Sequence, residues 1–541
     1  MTAVTEYTKH TRALTLTKKF ACTRKNTCHL IRFKKSNTVI VCNNMMRALK
    51  VTIATGVTLA WIVGLIMNED FMQWFVKGMK VMFYIITPSE LALDGSDAKP
   101  AYMDMYGLPM FFVFILFEWV AMQFVDVLSN SKNKSSGYRL NDFIMSVMLG
   151  TFQAMFLMLL ALVGLEIEIG MYTQVYQHFR LWTVDSKEHV IFSYVALLLG
   201  KDFCYYCAHR FFHEYHLAWL GHSNHHSGED YNLATALRQG ALQPVFGWPF
   251  YLPLALMGFH PNAFAAHAQL NTLFMFWIHT DLIGRMPFGL EYIINTPSAH
   301  RMHHRPPGNC NYAGALIIWD RIFCTYTPEI VRKDHYGNGN QPNTFDPIKL
   351  NAHHLGQLSR VGGAKRSSSW LYKIFARRVH KKRTFRLGAL VDPIPPVAKD
   401  VRFEGPKRAK WDGAKPMSVF ATAWFLLFGL SSLVFAVLLL VQGAHMHRMD
   451  AACGALVSCL LFSALGKIAD QESAPTSIAM VVSLFMAIAQ FAIVTKKPFG
   501  EMGLIDLPET QQKGAIWGSV ALLMALGAKS SPVFTSKSKG A

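Results

Sequence analysis

The sequence predicts an all-α integral membrane protein with about nine or ten membrane helices and a polar cap on one side of them. Three observations carry this expectation. Apolar residues make up 52% of the 541 positions and charged residues only 16%, against about 25% in an ordinary soluble domain. Many of the apolar residues fall in uncharged runs near the length that crosses a bilayer. The net charge of +19 is also unevenly spread: residues 1–50 hold eleven Lys/Arg and one acid (Glu6), and residues 284–416 hold twenty-three Lys/Arg against nine Asp/Glu. This composition excludes disorder, collagen-like repeats and a small disulfide scaffold.

Taken in order, residues 1–50 form a basic N-terminal tail without a long apolar run. Their lack of acids fits a transit peptide or a cytoplasmic tail ahead of Met45. Residues 51–67 are an uncharged run of marginal spanning length, and 71–88, interrupted by Lys77 and Lys80, read as interfacial. Better spans follow at 105–125 (which contains Glu118), 143–165 and 189–208. Two more are expected at 241–259 and 261–283, split by the turn at His260-Pro261. Residues 51–283 thus form one membrane block, 284–416 a polar insert, and 417–541 a C-terminal block with runs at 417–444, 451–466, 473–495 and 514–528. The two basic blocks point to the cytoplasmic side by the positive-inside bias. With no nucleic-acid reader motif present, anionic headgroups are their simplest partner.

The nine cysteines are scattered and form no disulfide framework. Cys204 and Cys207 have redox-motif spacing but lie in an apolar run, and read as packing residues.

Twelve of the 22 histidines fall between His209 and His304. His209 and His213 are four apart; His222, His225 and His226 form His-x-x-His-His; His300, His303 and His304 repeat that pattern. Spacings of three and four put side chains on one helical face. Burying eight such rings without a metal would strand their nitrogens, so the boxes read as a metal site at the cytoplasmic end of the 189–208 helix. Asp202, seven residues before His209, extends the same stripe as a ligand or as a hydrogen-bond partner of one. Imidazole suits zinc, copper, iron or nickel. Eight or nine nitrogens exceed one tetrahedral zinc shell and suffice for two ions. Clustered histidines also occur in ion pathways, but a transporter should place its ligands near the bilayer midplane, and these segments are too polar for that.

The order His-x3-His, His-x2-His-His, a single histidine and His-x2-His-His resembles the fatty acid hydroxylase/sterol desaturase superfamily. Asp-Phe-Cys-Tyr-Tyr-Cys-Ala-His-Arg (202–210) and residues 221–239, with Glu-Asp-Tyr-Asn-Leu-Ala-Thr-Ala-Leu-Arg-Gln at their end, are similar to its alkylglycerol monooxygenase family. So are Phe-Trp-Ile-His-Thr (276–280), Asn-Thr-Pro-Ser-Ala-His-Arg-Met-His-His (295–304), the 311–323 segment and Asn-Thr-Phe-Asp-Pro-Ile-Lys (343–349). The likeness covers residues 80–355 or so. It departs at 305–310, where the connection is shorter, and at Cys324, where the superfamily usually has glycine.

That resemblance implies a tetrahydrobiopterin-dependent glyceryl-ether monooxygenase. It would use O2 to hydroxylate the ether-linked carbon of an alkylglycerol or lyso-ether lipid, leaving a fatty aldehyde and a glycerol derivative. By the same resemblance two iron ions are held by His209, His213, His222, His225, His226, His279, His300, His303 and His304. Glu214 matches an acidic position beside the first box and, with Asp202, is the expected catalytic carboxylate. The other reading in the superfamily is a sterol or fatty-acyl hydroxylase or desaturase with cytochrome-supplied electrons. The expected setting is the endoplasmic reticulum membrane, multi-pass, with the site facing the cytoplasm, an ether-lipid substrate in the bilayer and no nucleic-acid partner.

Around the site, Glu118 is expected to partner an internal polar side chain, since a lone carboxylate is costly inside a span. His267, Gln269 and Asn271 are candidates for supporting the ligands, as are Asn311, Tyr312, Trp319 and Asp320. His353-His354 are weaker candidates as ligands, and Arg238 is expected to snorkel.

Overall fold

The computed structural model describes residues 68–88, 91, 100, 102–128, 138, 140–162, 164–184, 189–330, 336–338, 341–358, 375–379, 385–396, 419–442, 448–470, 479–487 and 490. All lie in the second of two compact units, residues 62–541. The expected tail at 1–50 and the runs at 51–67 and 514–528 fall outside the described residues, and 473–495 falls partly outside. The described residues are mostly helical, with one isolated antiparallel bridge between Tyr215 and Arg377.

Helix α1 (Glu69–Met82) starts where Asn68 Oδ1 accepts from Phe71 N at 2.8 Å, with Glu69 and Asp70 favourably placed at its positive end. A π-turn (Met103–Gly107) leads into α2 (Leu108–Leu128), and α3 follows over Leu140–Leu162. The short α4 (Ile169–Phe179) precedes α5 (Val190–Glu214). Helix α5 outruns the expected 189–208 segment and carries Asp202, His209 and His213 on one continuous rod. After α6 (His216–His222), the segment expected as a span at 241–259 is instead broken into α7 (Gln243–Gly247), a 3-10 turn (Trp248–Tyr251) and α8 (Leu252–Leu256). Pro244, Pro249 and Pro253 each open one of these pieces, because a proline lacks the N–H and clashes with the preceding turn.

Helix α9 (Pro261–Trp277) replaces the expected 261–283 span. Ten of its 17 residues are buried, and it is not among the stretches long and apolar enough to cross a membrane. The later elements are α10 (Pro297–His304), α11 (Ile318–Ile322), α12 (Pro347–Leu358), α13 (Val419–Gln442) and α14 (Arg448–Asp470). Five stretches among the described residues are long and apolar enough to cross a membrane: Met105–Met122, Asp142–Ala161, Val190–Glu214, Phe420–Leu440 and Asp450–Asp470.

Three apolar clusters organise these helices. Helices α1, α2 and α9 bury Val81, Phe111, Ile115, Leu270 and Phe276 together with Leu233 and Ala234. Helix α5 packs with α4 and α8–α9 through Tyr172, Leu197, Leu254 and Phe264. Helix α3 joins α13 and α14 through Met148, Phe152, Phe435, Leu461 and Phe462. Close packing of these side chains makes the C-terminal helices a brace for α3. They also hold the insert: Thr344 Oγ1 and Phe345 N donate to the Asp470 carboxylate at 2.6 Å each, and Ser463 Oγ donates to Asp346 Oδ1 at 2.8 Å.

Candidate metal centre

The nine histidines reach the site from four places in the fold. His209 and His213 sit on the last turns of α5, four residues apart on one face. His222 ends α6, while His225 and His226 lie in a 3-10 turn (His225–Ser227), so the second box is not one continuous helix. His279 lies just beyond α9, its backbone N–H donating to Phe276 O at 3.2 Å. His300, His303 and His304 line α10, which begins cleanly because Pro297 occupies its first turn and Thr296 Oγ1 accepts from Ala299 N at 3.2 Å.

These rings form two groups that cut across the sequence boxes. His209, His213, His222, His226 and His303 make one; His225, His279, His300 and His304 make the other. Within each group one ligand atom per residue lies within 4.8 Å of all the others, and every member is buried. The second and third boxes each supply both groups, a division that spacing along the chain does not encode.

Hydrogen bonds behind the rings fix the tautomers. His209 Nδ1 donates to Tyr312 O (2.8 Å), His225 Nδ1 to Arg238 O (3.0 Å), His279 Nδ1 to Met275 O (2.8 Å) and His303 Nδ1 to Cys310 O (2.8 Å). A carbonyl oxygen only accepts, so in each ring the proton is on Nδ1 and Nε2 keeps a bare lone pair. Gln243 Oε1 plays the same part for His222 at 2.8 Å. The bare nitrogens then face one another: His225 Nε2 and His279 Nε2 are 3.2 Å apart, and His209 Nε2 and His222 Nε2 are 2.9 Å apart. Two lone pairs at that separation repel unless a cation lies between them. His213 Nδ1 and Nε2, His300 Nδ1 and His303 Nε2 are buried without a hydrogen-bond partner. An all-imidazole donor set of this kind fits a pair of late first-row ions, and five donors exceed a tetrahedral zinc shell.

The electrostatics hold the rings neutral. Burial first, and neighbouring imidazoles second, push the affinities of His222, His226 and His304 for a proton well below the ordinary histidine value. Burial does the same for His279, His300 and His303, and lowers His225 to about 4.

Neither expected carboxylate joins the two groups of nitrogens. Asp202 is fully buried and accepts four hydrogen bonds: Asn271 Nδ2 (2.8 Å) and Ala315 N (2.7 Å) on Oδ1, Leu316 N and Trp319 Nε1 (3.0 Å each) on Oδ2. It clamps the 314–319 segment against α5 and α9, so close that a Cβ on Gly314 would lie 2.7 Å from Oδ1. Glu214 accepts from Arg210 Nε at 2.9 Å and from Arg377 Nη2, and its carbonyl accepts from Arg378 N at 2.6 Å. It fastens residues 375–379 to the end of α5.

The surrounding residues sort as follows. Tyr312 N and Ala313 N donate to the Asp320 carboxylate (2.8 and 2.7 Å), and Asn311 bonds Ala299 O and Thr327 O at 2.8 Å each. Glu118 has internal polar partners, as its cost in a span requires: Leu233 N donates to it at 2.7 Å, and the Thr280 and Tyr138 hydroxyls donate as well. Asn271 supports Asp202, whereas Gln269 turns away to Pro100 O and His267 meets the Tyr84 hydroxyl. His354 pairs with His216 at 3.2 Å, outside both groups. Arg238 does not snorkel. It is buried, ion-paired to Asp142 at 2.6 Å and bonded to Ser227 Oγ and Ser146 Oγ, and it presents its carbonyl to His225. Burial against α3 is the physical reason, since an unpaired guanidinium there would be prohibitive.

Sequence reasoning missed Arg301, which sits between the histidines of α10 with no exposed side-chain surface. It pairs with Glu329 at 2.7 Å and donates to Thr280 O and Ile283 O. A charged residue inside a histidine box is the only signal that could have marked it. Cys324, standing where the superfamily has glycine, adopts φ +53°, the left-handed conformation that glycine takes without strain.

Residues 194–325 match the fatty acid hydroxylase family model, a range that holds all nine histidines. The chain is 40% identical to human alkylglycerol monooxygenase over 284 residues, which cover 52% of this chain and 60% of that protein. It is 34% identical to the Caenorhabditis elegans alkylglycerol monooxygenase over 292 residues, 52% of this chain and 54% of that protein. An ornithine lipid hydroxylase of Rhizobium tropici is 30% identical over 153 residues, 28% of this chain and 45% of that protein. The matched stretch thus spans little more than half the length of the alkylglycerol monooxygenases. No solved structure matches.

Proposed function

We propose that this chain is a membrane-bound di-iron monooxygenase that cleaves the O-alkyl ether bond of alkylglycerols or lyso-ether lipids. The observation that carries the proposal is the convergence of nine imidazole nitrogens in two buried groups, inside the stretch that matches the fatty acid hydroxylase family. Homology to alkylglycerol monooxygenases over half the chain supports the choice of substrate. One iron would be held by His209, His213, His222, His226 and His303, the other by His225, His279, His300 and His304. Bound there, the two irons would supply dioxygen activation at a lipid C–H bond.

The chain's own residues prepare that chemistry. Backbone carbonyls at Tyr312, Arg238, Met275 and Cys310 hold His209, His225, His279 and His303 in the ligating tautomer and orientation. Burial keeps the imidazoles unprotonated and excludes water from the centre. In our reading Asp202 and Glu214 are positioning residues: the first fixes the segment that supplies Tyr312 O, the second closes residues 375–379 over the end of α5. Asn311 and Asp320 keep α10 in register with the 311–320 segment, and Arg301 ties α10 to Glu329 and to the carbonyls of Thr280 and Ile283.

The overall reaction inserts one oxygen atom into the C–H bond next to the ether oxygen. The other oxygen atom leaves as water, with two electrons drawn from tetrahydrobiopterin. The resulting hemiacetal breaks its carbon–oxygen bond to give a fatty aldehyde and a free glycerol hydroxyl. The basic surplus of residues 1–50 and 284–416 supports a site that faces the cytoplasm, and the setting we propose is the endoplasmic reticulum membrane. The test is an assay of membranes bearing the chain with a labelled alkylglycerol, with and without tetrahydrobiopterin. Labelled aldehyde that appears only with the pterin is expected. Turnover without it, or conversion of sterol or fatty acyl chains alone, overturns the proposal in favour of a cytochrome-fed hydroxylase or desaturase.

A further inference from the structure

We propose that the edge of the polar insert formed by residues 285–293 and 385–392 is seated in the bilayer. Its apolar tips would lie among acyl chains, and its cations would lie at anionic headgroups. The insert is therefore not a cap standing clear of the membrane. The edge is built from two segments far apart in sequence. Arg285 Nη1 donates to Pro395 O, and Ile394 N donates to the Tyr292 hydroxyl at 3.3 Å. Buried Arg321 pins both segments: its guanidinium lies 4.5 Å over the Tyr292 ring and donates to Leu390 O (3.0 Å) and Asp392 O (2.6 Å). Arg386 N donates to Ile322 O at 2.8 Å, which fixes the strand of chain to α11.

This well-anchored edge nevertheless points large apolar side chains outward. Phe288 is 96% exposed and Val391 80%, with Ile293, Phe385 and Leu387 exposed beside them. Large apolar side chains exposed on two segments held together in this way mark a surface that meets something apolar. Continuity identifies what it meets. On α5 the residues Phe192, Val195 and Leu199 are exposed along one stripe that Phe203 prolongs at helical spacing. Phe203 stacks on Phe323 at 6.0 Å, and Phe323 meets Phe385 at 5.6 Å. The outward apolar face of a membrane-length helix thus runs without a break onto the insert.

Charge points to the same occupant. Residues 347–392 contain eleven Lys and Arg and one acid, Asp392, which pairs with Arg386; Lys381-Lys382-Arg383 are separated from Phe385 only by Thr384. Apolar tips beside a basic run are the composition of a segment that lies in the headgroup–acyl boundary. The inference needs only a membrane-embedded chain, and its test does not read activity, so it stands or falls separately from the proposed reaction.

The full chain would be reconstituted in phosphatidylcholine–phosphatidylserine vesicles that contain a lipid with a photoactivatable diazirine in its acyl chain. After illumination, adducts are mapped by mass spectrometry. Adducts on 285–293 and 385–391, alongside those on 192–199, are expected. The double variant Phe288→Asp, Val391→Asp should lower the insert adducts about fivefold and leave those on 192–199 unchanged. Adducts confined to the five spanning stretches overturn the proposal. So do crosslinks between two copies of the chain at Phe288 or Val391 without lipid adducts, which would make the edge a self-association surface.

Discussion

The role of each buried polar residue follows from what it touches. Asp202 satisfies four donors with two oxygens, so Asp202→Asn turns an NH2 group toward two of them. At roughly 1–3 kcal/mol for each stranded donor, thermal unfolding should shift down by several degrees while iron content at low temperature holds. Iron loss without a stability change would instead make Asp202 a ligand. Glu118 ties Leu233, in the loop after the second box, to Thr280, the neighbour of His279. Glu118→Gln should therefore weaken metal binding at the four-histidine group by about 10–100-fold and spare the five-histidine group. An iron titration that resolves two affinities would separate them; equal weakening of both would refute this placement. At this scale the candidate ligands stood out in the sequence because eight of the nine repeat at spacings of three and four. Their division into two groups was not, since it depends on how α6, α9 and α10 meet. The buried pair of Arg238 with Asp142 was equally hidden, because 96 residues separate them.

Among the elements, local rules decided where the helices run, and packing decided which helices are internal. The three prolines in 244–253 break a segment whose hydropathy alone suggests a span. They were visible in the sequence but outweighed by apolar content. Helix α9 ends at Trp277, short of the expected end at 283, and ten of its 17 residues are buried in protein. The bracing of the insert by α14 gives a sharp test. A Cβ at Gly466 would lie 2.3 Å from Phe345 O, so Gly466→Ala must push α14 off the insert. A loss of about 1–3 kcal/mol, read as a lower unfolding temperature, is expected. Gly356→Ala, on α12 and facing open space, should be neutral or slightly stabilising. Equal effects of the two substitutions would contradict the brace.

For the molecule as a whole, the membrane class was legible from composition, and a candidate metal centre from the histidines. The way the C-terminal helices reach the site, through α3 and Asp142, was not, because it rests on long-range contacts. Burying many neutral imidazoles also sets the response to pH. His225 has a folded-state value near 4, below the ordinary 6.5, so between these values the unfolded chain binds more protons than the folded one. Stability should hold at neutral pH and decline as pH falls from about 6.5 toward 4, with loss of bound metal in the same window. A chain equally stable at pH 7 and pH 4.5 would contradict the neutral-imidazole centre. The central claim, that nine histidines build two metal positions, is tested most directly by the iron content of the purified chain reconstituted in membranes. The account predicts about two irons per chain, falling to about one in His225→Ala. One iron or none in the wild-type chain, or a content unaffected by His225→Ala, would contradict it.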